Sequence, residues 1–394
     1  MVGFALPFFI FQQPKVTGYY ASLYVMMGLL TAYSGIWFSD LGFSDAQISV
    51  INVAPIVFML LINVFVGRLA DRASDWRTAI VLGSVLSAVF ATGILFSTSY
   101  LVILISLTLS SVVVGVTIPV TDAATMRLSR RLGHNYGLYR SWGTIGYVVG
   151  LLFAGWYVSR YGDALFAWFV VMTAFVRALA AMRLPRFRAP DDHEAIKGLS
   201  SLKSVMRPWF ILPLVGFAMF SGSHLVLSAF QSLFLSRQGY DPNIIGISIA
   251  AGAIAETVMF IGYGRISHLM SARGFLAIAG AATVVRWIGF GLEPHMGWII
   301  PLQMMHAITF ALGFIATISF ISNRIADENA AEAQGFLVMI QQVMSIVAMF
   351  GAGLLVDILG PKIFFAAAVF AGVGLCFVLA SLFWVVPIEK EDSE

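Results

Sequence analysis

Charge and cysteine are what this chain has least of. Only 11% of its 394 residues are charged, and it holds one cysteine, Cys376. A lone thiol excludes an internal disulfide and any multi-cysteine metal centre, and its apolar surroundings mark it as a packing residue. So little charge excludes an ordinary soluble domain, whose surface at this length needs far more polar residues. Catalytic signatures are missing as well. No Ser/His or His/Asp group stands at catalytic spacing inside the apolar runs, and no nucleotide loop or metal-ligand set occurs. An enzyme, a cofactor, a metal and a nucleic-acid partner are therefore not expected. The N-terminal stretch MVGFALPFFIFQQPK has no basic residue ahead of its apolar run, so it does not read as a cleaved signal peptide.

What is abundant is apolar sequence: 59% of the residues, with a mean hydropathy of +0.90. A bilayer-crossing helix takes roughly 20 such residues. Runs bounded by charge, Gly or Pro predict spans near 18–38, 46–67, 77–97, 101–127, 137–159 and 164–183, then near 209–236, 244–265, 274–292, 298–322, 334–357 and 361–386. The fold expected is an all-α membrane protein of twelve transmembrane helices. With both termini inside, 17 of the 23 Lys and Arg fall in cytoplasmic segments. Three fall outside (Arg160, Arg237, Lys362) and three within spans (Arg140, Arg177, Arg286). Basic residues concentrate on the cytoplasmic side of membrane proteins, so the chain is expected in the cell's inner (plasma) membrane with both termini cytoplasmic.

The polar stretch from Arg183 to Arg207, with PRFRAPDDHEAIKGLSS, lies midway along the chain. It divides an N-terminal six-helix bundle, 1–183, from a C-terminal one, 209–394, with a cytoplasmic linker at 184–208. An internal repeat supports this. The interval from Gly42 to Gly67-Arg68 equals the interval from Gly239 to Gly264-Arg265, and the second pair follows the first at an offset of 197. Gly137, Ala154-Gly155 and Gly162 recur as Gly335, Ala352-Gly353 and Gly360 at an offset of 198. Two parallel repeats about an axis along the membrane normal are a secondary-transporter arrangement, with a solute cavity between the halves near the midplane.

The stretch TIPVTDAATMRLSRRLGHNYGLYRSWGTIGYVVG, from Thr117 to Gly150, places one charge in each of two apolar helices. Asp122 and Arg140 are equidistant from Arg131 in the basic turn, so a hairpin would bring them to equal depth and they could meet. An ionisable group at membrane depth costs at least about 2.5 kcal/mol and usually faces a partner or a watery cavity. Glu256, about twelve residues into its span, is the best candidate for a proton carrier, since apolar surroundings favour a neutral carboxyl that can load and release a proton. Charge balances if Asp122 and Glu256 face Arg140 and Arg286. Arg286 either neutralises Glu256 or also attracts a substrate carboxylate. His224 and His306 read as hydrogen-bonding groups rather than titrating ones. Tyr147, Trp142, Phe230 and Trp37 are candidate rings for stacking a solute. Arg177 is placed near enough the surface to snorkel, and the stripe Gly143, Gly146, Gly150 and Ala154 reads as a close helix contact.

Several of these patterns resemble the major facilitator superfamily. GRLADRASDWR, from Gly67 to Arg77, is similar to its signature loop, and implies a conformational latch at Gly67, Asp71 and Arg72. The second copy, YGRISHLMSARG from Tyr263, has Ser267 or His268 in place of the acid. The hairpin resembles the lactose permease branch in the spacing of Pro119, Asp122, Arg140 and the aromatic Tyr147. Arg286 and His306 reproduce the spacing of that branch's ninth- and tenth-span pair. Thr309 stands where the branch's proton-carrying glutamate would be, so its proton relay does not carry over intact. SGSHLVLSAFQSLF (Ser223, His224), AIAETVMFIGYGRI (Glu256), Ile36-Trp37 and YRSWGTIGY resemble the phenylpropionate permease group more closely. The resemblance implies proton-coupled uptake of a small organic solute, aromatic or carboxylated, by a functional monomer. The implied solute-binding residues are Asp122, Arg140, Tyr147, His224, Phe230, Gln231, Arg286 and His306, with Glu256 and Asp122 in proton coupling. Importers of sugars, nucleosides or siderophores remain open. So does a proton-driven efflux antiporter, although the fifth span lacks the proline typical of such antiporters.

Overall fold

Backbone arithmetic sets the architecture. The computed structural model describes residues 13–71, 75–134, 136–187, 207–324 and 327–385, with backbone alone for 63–71, 130 and 327–332. The helices are α1 (Pro14–Asp40), α2 (Asp45–Asp71), α3 (Trp76–Ala91), α4 (Tyr100–Leu132), α5 (Tyr136–Tyr161) and α6 (Phe166–Met182). After the linker come α7 (Pro208–Arg237), α8 (Pro242–Ile266), α9 (Ala272–Gly291), α10 (Met296–Met304), α11 (Gly313–Ser322), α12 (Asp327–Leu359) and α13 (Ile363–Ser381). No strand occurs among the described residues.

Ten helical runs are long and apolar enough to cross a bilayer. One of these, Met296–Ser322, joins α10 to α11 through a π-helical turn at Ala307–Leu312. Another, Ala333–Ser381, has 49 residues. At about 1.5 Å per residue it would measure roughly 70 Å, more than twice the hydrocarbon thickness. It is two spans, α12 and α13, broken at Gly360 (φ 52°) ahead of Pro361. The 17-residue α6 is a shorter apolar helix, at the lower limit of spanning length. The expected twelve spans are thus present in order. The largest differences are at α4 and α12, each of 33 residues. After Met126 the sequence offers no stop signal until Gly133, which takes φ 67°, so α4 runs on past its apolar stretch. Outward-facing Leu61, Ile261, Ile358 and Val369 are each more than 60% exposed; such side chains need lipid, not water, as their solvent.

The repeat has a backbone cause. Gly42 and Gly239 adopt φ 85° and 86°. In the turn after α1 the Phe43 N–H donates to the Phe38 carbonyl, and after α7 the Tyr240 N–H donates to that of Leu235. This is the six-to-one closure of a glycine-terminated helix, built twice. Gly162 and Gly360 likewise take positive φ, 74° and 52°.

The chain forms two compact units. The first comprises Met1–Asp191 with Leu235–Ile247, and the second Asp192–Phe234 with Ser248–Glu394. In the first, α1 and α5 touch backbone to backbone. A Cβ at Gly28 would strike the Tyr147 carbonyl, one at Gly146 the Ala21 carbonyl, and one at Gly150 the Val25 carbonyl. Behind this seam lie Tyr19, Tyr20, Leu23 and Tyr24 of α1, packed with Trp76, Ile80, Ala124, Leu128 and Tyr139. The Leu235–Ile247 tip is tied to this unit by a two-pronged Arg237–Asp45 bridge (2.7 and 2.8 Å), Ser159 to Asp241 (2.7 Å) and Tyr33 to the Pro242 carbonyl (2.7 Å). In the second unit, Gly216 meets Gly374 and Gly222 meets Met344, bringing α13 and α12 against α7. Its aromatic core links Phe230, Phe234, Phe364, Trp287 and Phe290.

Candidate functional site

The polar residues gather in two places, one in each unit. In the first unit the expected Asp122–Arg140 ion pair does not form. Among the described residues the ion pairs are Arg237–Asp45 and His306–Glu256. Asp122 instead accepts a 2.6 Å bond from the Tyr20 hydroxyl, and Tyr136 lies within range of the same carboxylate. Arg140 sits over the face of Tyr24, 4.4 Å from its centroid. Tyr20 and Tyr24 are one turn apart on α1, so this helix inserts an aromatic pair against the charges that the hairpin alone would have joined. Both charges remain half-buried. Tyr147 and Trp142 pack against the same cluster.

Arg177 departs further from expectation. It does not snorkel: it is 1% exposed, donating to Ser87 Oγ (2.7 Å) and the Met26 sulfur (3.6 Å). Its Nε has no partner among the described residues. Ser87 is tied in turn to Ser110 at 2.8 Å. The small hydroxyl residues of α3 and α4 leave room for the guanidinium, which apolar counting along α6 cannot reveal.

The second unit holds a denser network, centred on Arg286 of α9, itself 1% exposed. Its Nη1 donates to His306 Nδ1 (3.1 Å) and Thr309 Oγ1 (3.1 Å), and its Nη2 to Gln303 Oε1 (3.0 Å). Gln303 Nε2 donates to Gln231 Oε1 at 2.7 Å. His306 Nε2 meets Glu256 Oε2 at 3.0 Å, with the two side chains 24% and 25% exposed; this end of the network reaches the surface of the unit. The other end is sealed. His224 bonds Thr309 Oγ1 through Nε2 (2.9 Å) and the Phe220 carbonyl through Nδ1 (2.7 Å). Trp287 Nε1 donates to Ser223 Oγ at 2.8 Å.

The donors and acceptors fix the protons. A carbonyl only accepts, so His224 carries its hydrogen on Nδ1 and its Nε2 accepts from the Thr309 hydroxyl. A guanidinium only donates, so His306 Nδ1 is bare and its hydrogen is on Nε2, aimed at Glu256. Both imidazoles are therefore neutral links, as the sequence suggested. The expected direct pairing of Glu256 with Arg286 is absent; His306 stands between them. The π-helical turn begins immediately after His306. Such turns insert one residue into a helix and often occur at functional sites. Here it carries Thr309, placing its hydroxyl between α7 and α9.

Phe230 is not a free stacking platform. It is fully buried and stacked on Phe234. Trp37 is likewise core, against Phe38 and Phe166. The latch residues Gly67 and Asp71 fall where only the backbone of α2 is described, and Arg72 lies outside the described residues. Sequence reasoning missed Tyr20, Tyr24 and Gln303. For Gln303 a signal existed: a lone amide inside an apolar run, one turn before His306.

A family model described as the MFS_1 like family matches residues 15–367. The chain belongs to that family. This member of the major facilitator superfamily is 23% identical over 368 residues to the probable 3-phenylpropionic acid transporter of Escherichia coli (strain K12), covering 89% of this chain and 93% of that protein. It is 22% identical to the maltose permease of Geobacillus stearothermophilus over 71% of this chain and 70% of that one. Among solved structures, the nucleoside transporter NupG matches with a TM-score of 0.81 at 14% identity, over 94% of this chain and 99% of that one. A D-xylose–proton symporter matches with a TM-score of 0.67 at 13% identity, over 94% and 95%. These structural likenesses establish the fold. Together the matches place this MFS_1 like chain among multi-pass secondary transporters, close to the phenylpropionate permease group, and not among enzymes.

Proposed function

We propose that this transporter is a proton-coupled symporter that takes up a small aromatic or carboxylated solute by alternating access. The observation that carries the reading is the contact between the Glu256 carboxylate and His306, which in turn accepts from a buried arginine. A carboxylate in apolar surroundings can load and release a proton, and a buried guanidinium can receive a negatively charged group. The solute would engage Arg286, His306, His224 and Gln231 in the second unit and Asp122, Arg140 and Tyr147 in the first. Asp122 would assist coupling, and Gly67, Asp71 and Arg72 would form a conformational latch. The basic residues argue for an inner-membrane protein with cytoplasmic termini, organised as halves 1–183 and 209–394 about a linker at 184–208. Each chain would act as a monomer. The name of the Escherichia coli relative, a probable 3-phenylpropionic acid transporter, supports an aromatic acid as cargo.

The test is reconstitution in proteoliposomes with labelled 3-phenylpropionate. An inward proton gradient should drive accumulation, and Glu256→Gln should abolish accumulation while preserving solute exchange. Uptake indifferent to the gradient would remove proton coupling. Extrusion driven by an inward gradient would favour the antiporter reading, against which stands the absence of proline between Gly137 and Arg160.

A further inference from the structure

Glu256 and Arg286 sit on different helices and do not touch, yet one imidazole holds both. This raises the question of what His306 transmits. Its two nitrogens have opposite roles that the partners impose: Nδ1 accepts from Arg286 and Nε2 donates to Glu256. Phe310 lies parallel to the ring, at 5.1 Å and 4°. Rotating the ring by half a turn would set its Nε2–H against a guanidinium that can only donate. The tautomer is thus locked while Arg286 stays in place.

Resting on the proton-symport reading, we infer that His306 is the positioning residue that makes the anion-receiving state of Arg286 conditional on protonation of Glu256. With Glu256 ionised, the group Glu256–His306–Arg286 carries charges of minus one, zero and plus one. The carboxylate polarises the imidazole and strengthens Nδ1 as an acceptor. Adding one proton to Glu256 moves no other proton: His306 keeps its hydrogen on Nε2. The His306–Glu256 bond then falls from a charge-assisted bond to a neutral one, about half as strong. Nδ1 becomes a poorer acceptor in the same step, and the group acquires a net positive charge. Arg286 Nη1, already shared with Thr309, shifts its bonding toward that hydroxyl and is available to an anionic acceptor. A carboxylate solute then binds only with its proton, and the loaded group is again neutral.

The groups facing His306 from the helices packed on it are Glu256 of α8, Arg286 of α9 and His224 of α7, whose ring centroid is 5.3 Å away. His224 is held by Phe220 and Thr309 at both nitrogens, so it follows the change without originating it. A direct Glu256–Arg286 pair would differ. There, protonation would free Arg286 without any imidazole, and His306 would be dispensable.

The experiment uses the full chain labelled with 15N-histidine in lipid nanodiscs, the His306 signals being assigned by their loss in His306→Asn. The expected result is a bare Nδ1 and a protonated Nε2 at high pH. Both signals should move together as pH falls, with a single midpoint, and this movement should vanish in Glu256→Gln. A protonated Nδ1, signals that do not respond to pH, or a titration unchanged in Glu256→Gln would overturn the inference. Two transport variants add a second readout. In His306→Asn the shorter amide can serve Arg286 but not Glu256; in His306→Gln the longer one can serve Glu256 but not Arg286. Both should keep exchange of the labelled acid within about threefold and lose gradient-driven accumulation at least tenfold. Accumulation retained in either variant would overturn the link. The spectra need no solute, so a failed choice of cargo or of proton symport is distinguishable from a failed relay.

Discussion

Replacing Gly146 by alanine tests the α1–α5 seam on which the first unit's charges depend. An added Cβ would lie 2.9 Å from the Ala21 Cα and 2.8 Å from its carbonyl carbon, and closer still to the carbonyl oxygen. Ordinary carbon contacts are about 3.5–4.0 Å, so the overlap is roughly 0.6–1.1 Å. It falls on main-chain atoms, which cannot rotate away. The two helices must separate by a similar amount. Overpacking of this kind costs typically about 1–3 kcal/mol, and the better helical preference of alanine over glycine returns about 0.5–1 kcal/mol. A net loss of about 1–2 kcal/mol is expected from these two terms. The matched control is Gly351→Ala in α12, where an added Cβ meets nothing within 4 Å; that variant should gain about 0.4–1 kcal/mol. The assay is reversible unfolding by a denaturing detergent in bicelles, followed by tryptophan fluorescence. Because α1 carries Tyr20 and Tyr24, the shift should also lengthen the 2.6 Å Tyr20–Asp122 bond and reduce uptake. Wild-type stability in Gly146→Ala, or an equal loss in Gly351→Ala, would refute the claim that main-chain contact, rather than glycine content, holds these helices together.

Three further expectations follow from the geometry. Tyr24→Phe should leave uptake intact because the ring face beneath Arg140 survives, whereas Tyr24→Leu should lose about 0.5–2 kcal/mol of that contact and show a raised KM in the uptake assay. Arg177→Met should unfold at or above the wild-type denaturant midpoint, since a buried guanidinium without a carboxylate partner often costs more in desolvation than it returns; Arg177→Ala, which leaves a cavity, should fall by about 2 kcal/mol or more. The Arg237–Asp45 bridge has one side chain 45% exposed, so Arg237→Gln should cost only about 0.2–1 kcal/mol. Molar salt should erase the difference, and the double exchange Asp45→Arg with Arg237→Asp should restore it at low salt.

The span pattern was legible because apolar length and helix-ending glycines are local properties. Gly42 and Gly239 announce the same chain reversal twice, and each reversal needs a positive φ whatever surrounds it. The close-packed stripe of α5 was legible for a similar reason, since small residues at Gly143, Gly146 and Gly150 return to one face. The networks were less so. Thr309 read as the loss of a carboxylate, and only the fold shows its hydroxyl joining His224 to Arg286, residues 85 and 23 positions away. Phe230 read as a ring near the solute, and only the fold shows it covered by Phe234.

The failed Asp122–Arg140 pairing locates the limit physically. Equal distance from a turn fixes equal depth, because every residue of a helix advances the chain by the same rise along the axis. It does not fix azimuth, which turns about 100° per residue and is set by what the helix packs against. Here the neighbour is α1, remote in the sequence from both charges, and its tyrosines stand at i and i+4, the spacing that puts two side chains on one face. One hydroxyl serves the acid and one ring face serves the base, so neither charge needs the other. In the second unit no tyrosine is offered to Arg286 or Glu256; an imidazole joins them instead. A tyrosine hydroxyl donates the same hydrogen at any pH near neutrality, whereas an imidazole between an acid and a base passes on the acid's state. On that ground the second unit, rather than the first, is where proton loading should be felt by the solute. Exchanging the devices tests it: His306→Tyr should preserve a bond to Glu256 yet leave solute affinity independent of pH, and a pH-dependent affinity in that variant would refute the distinction.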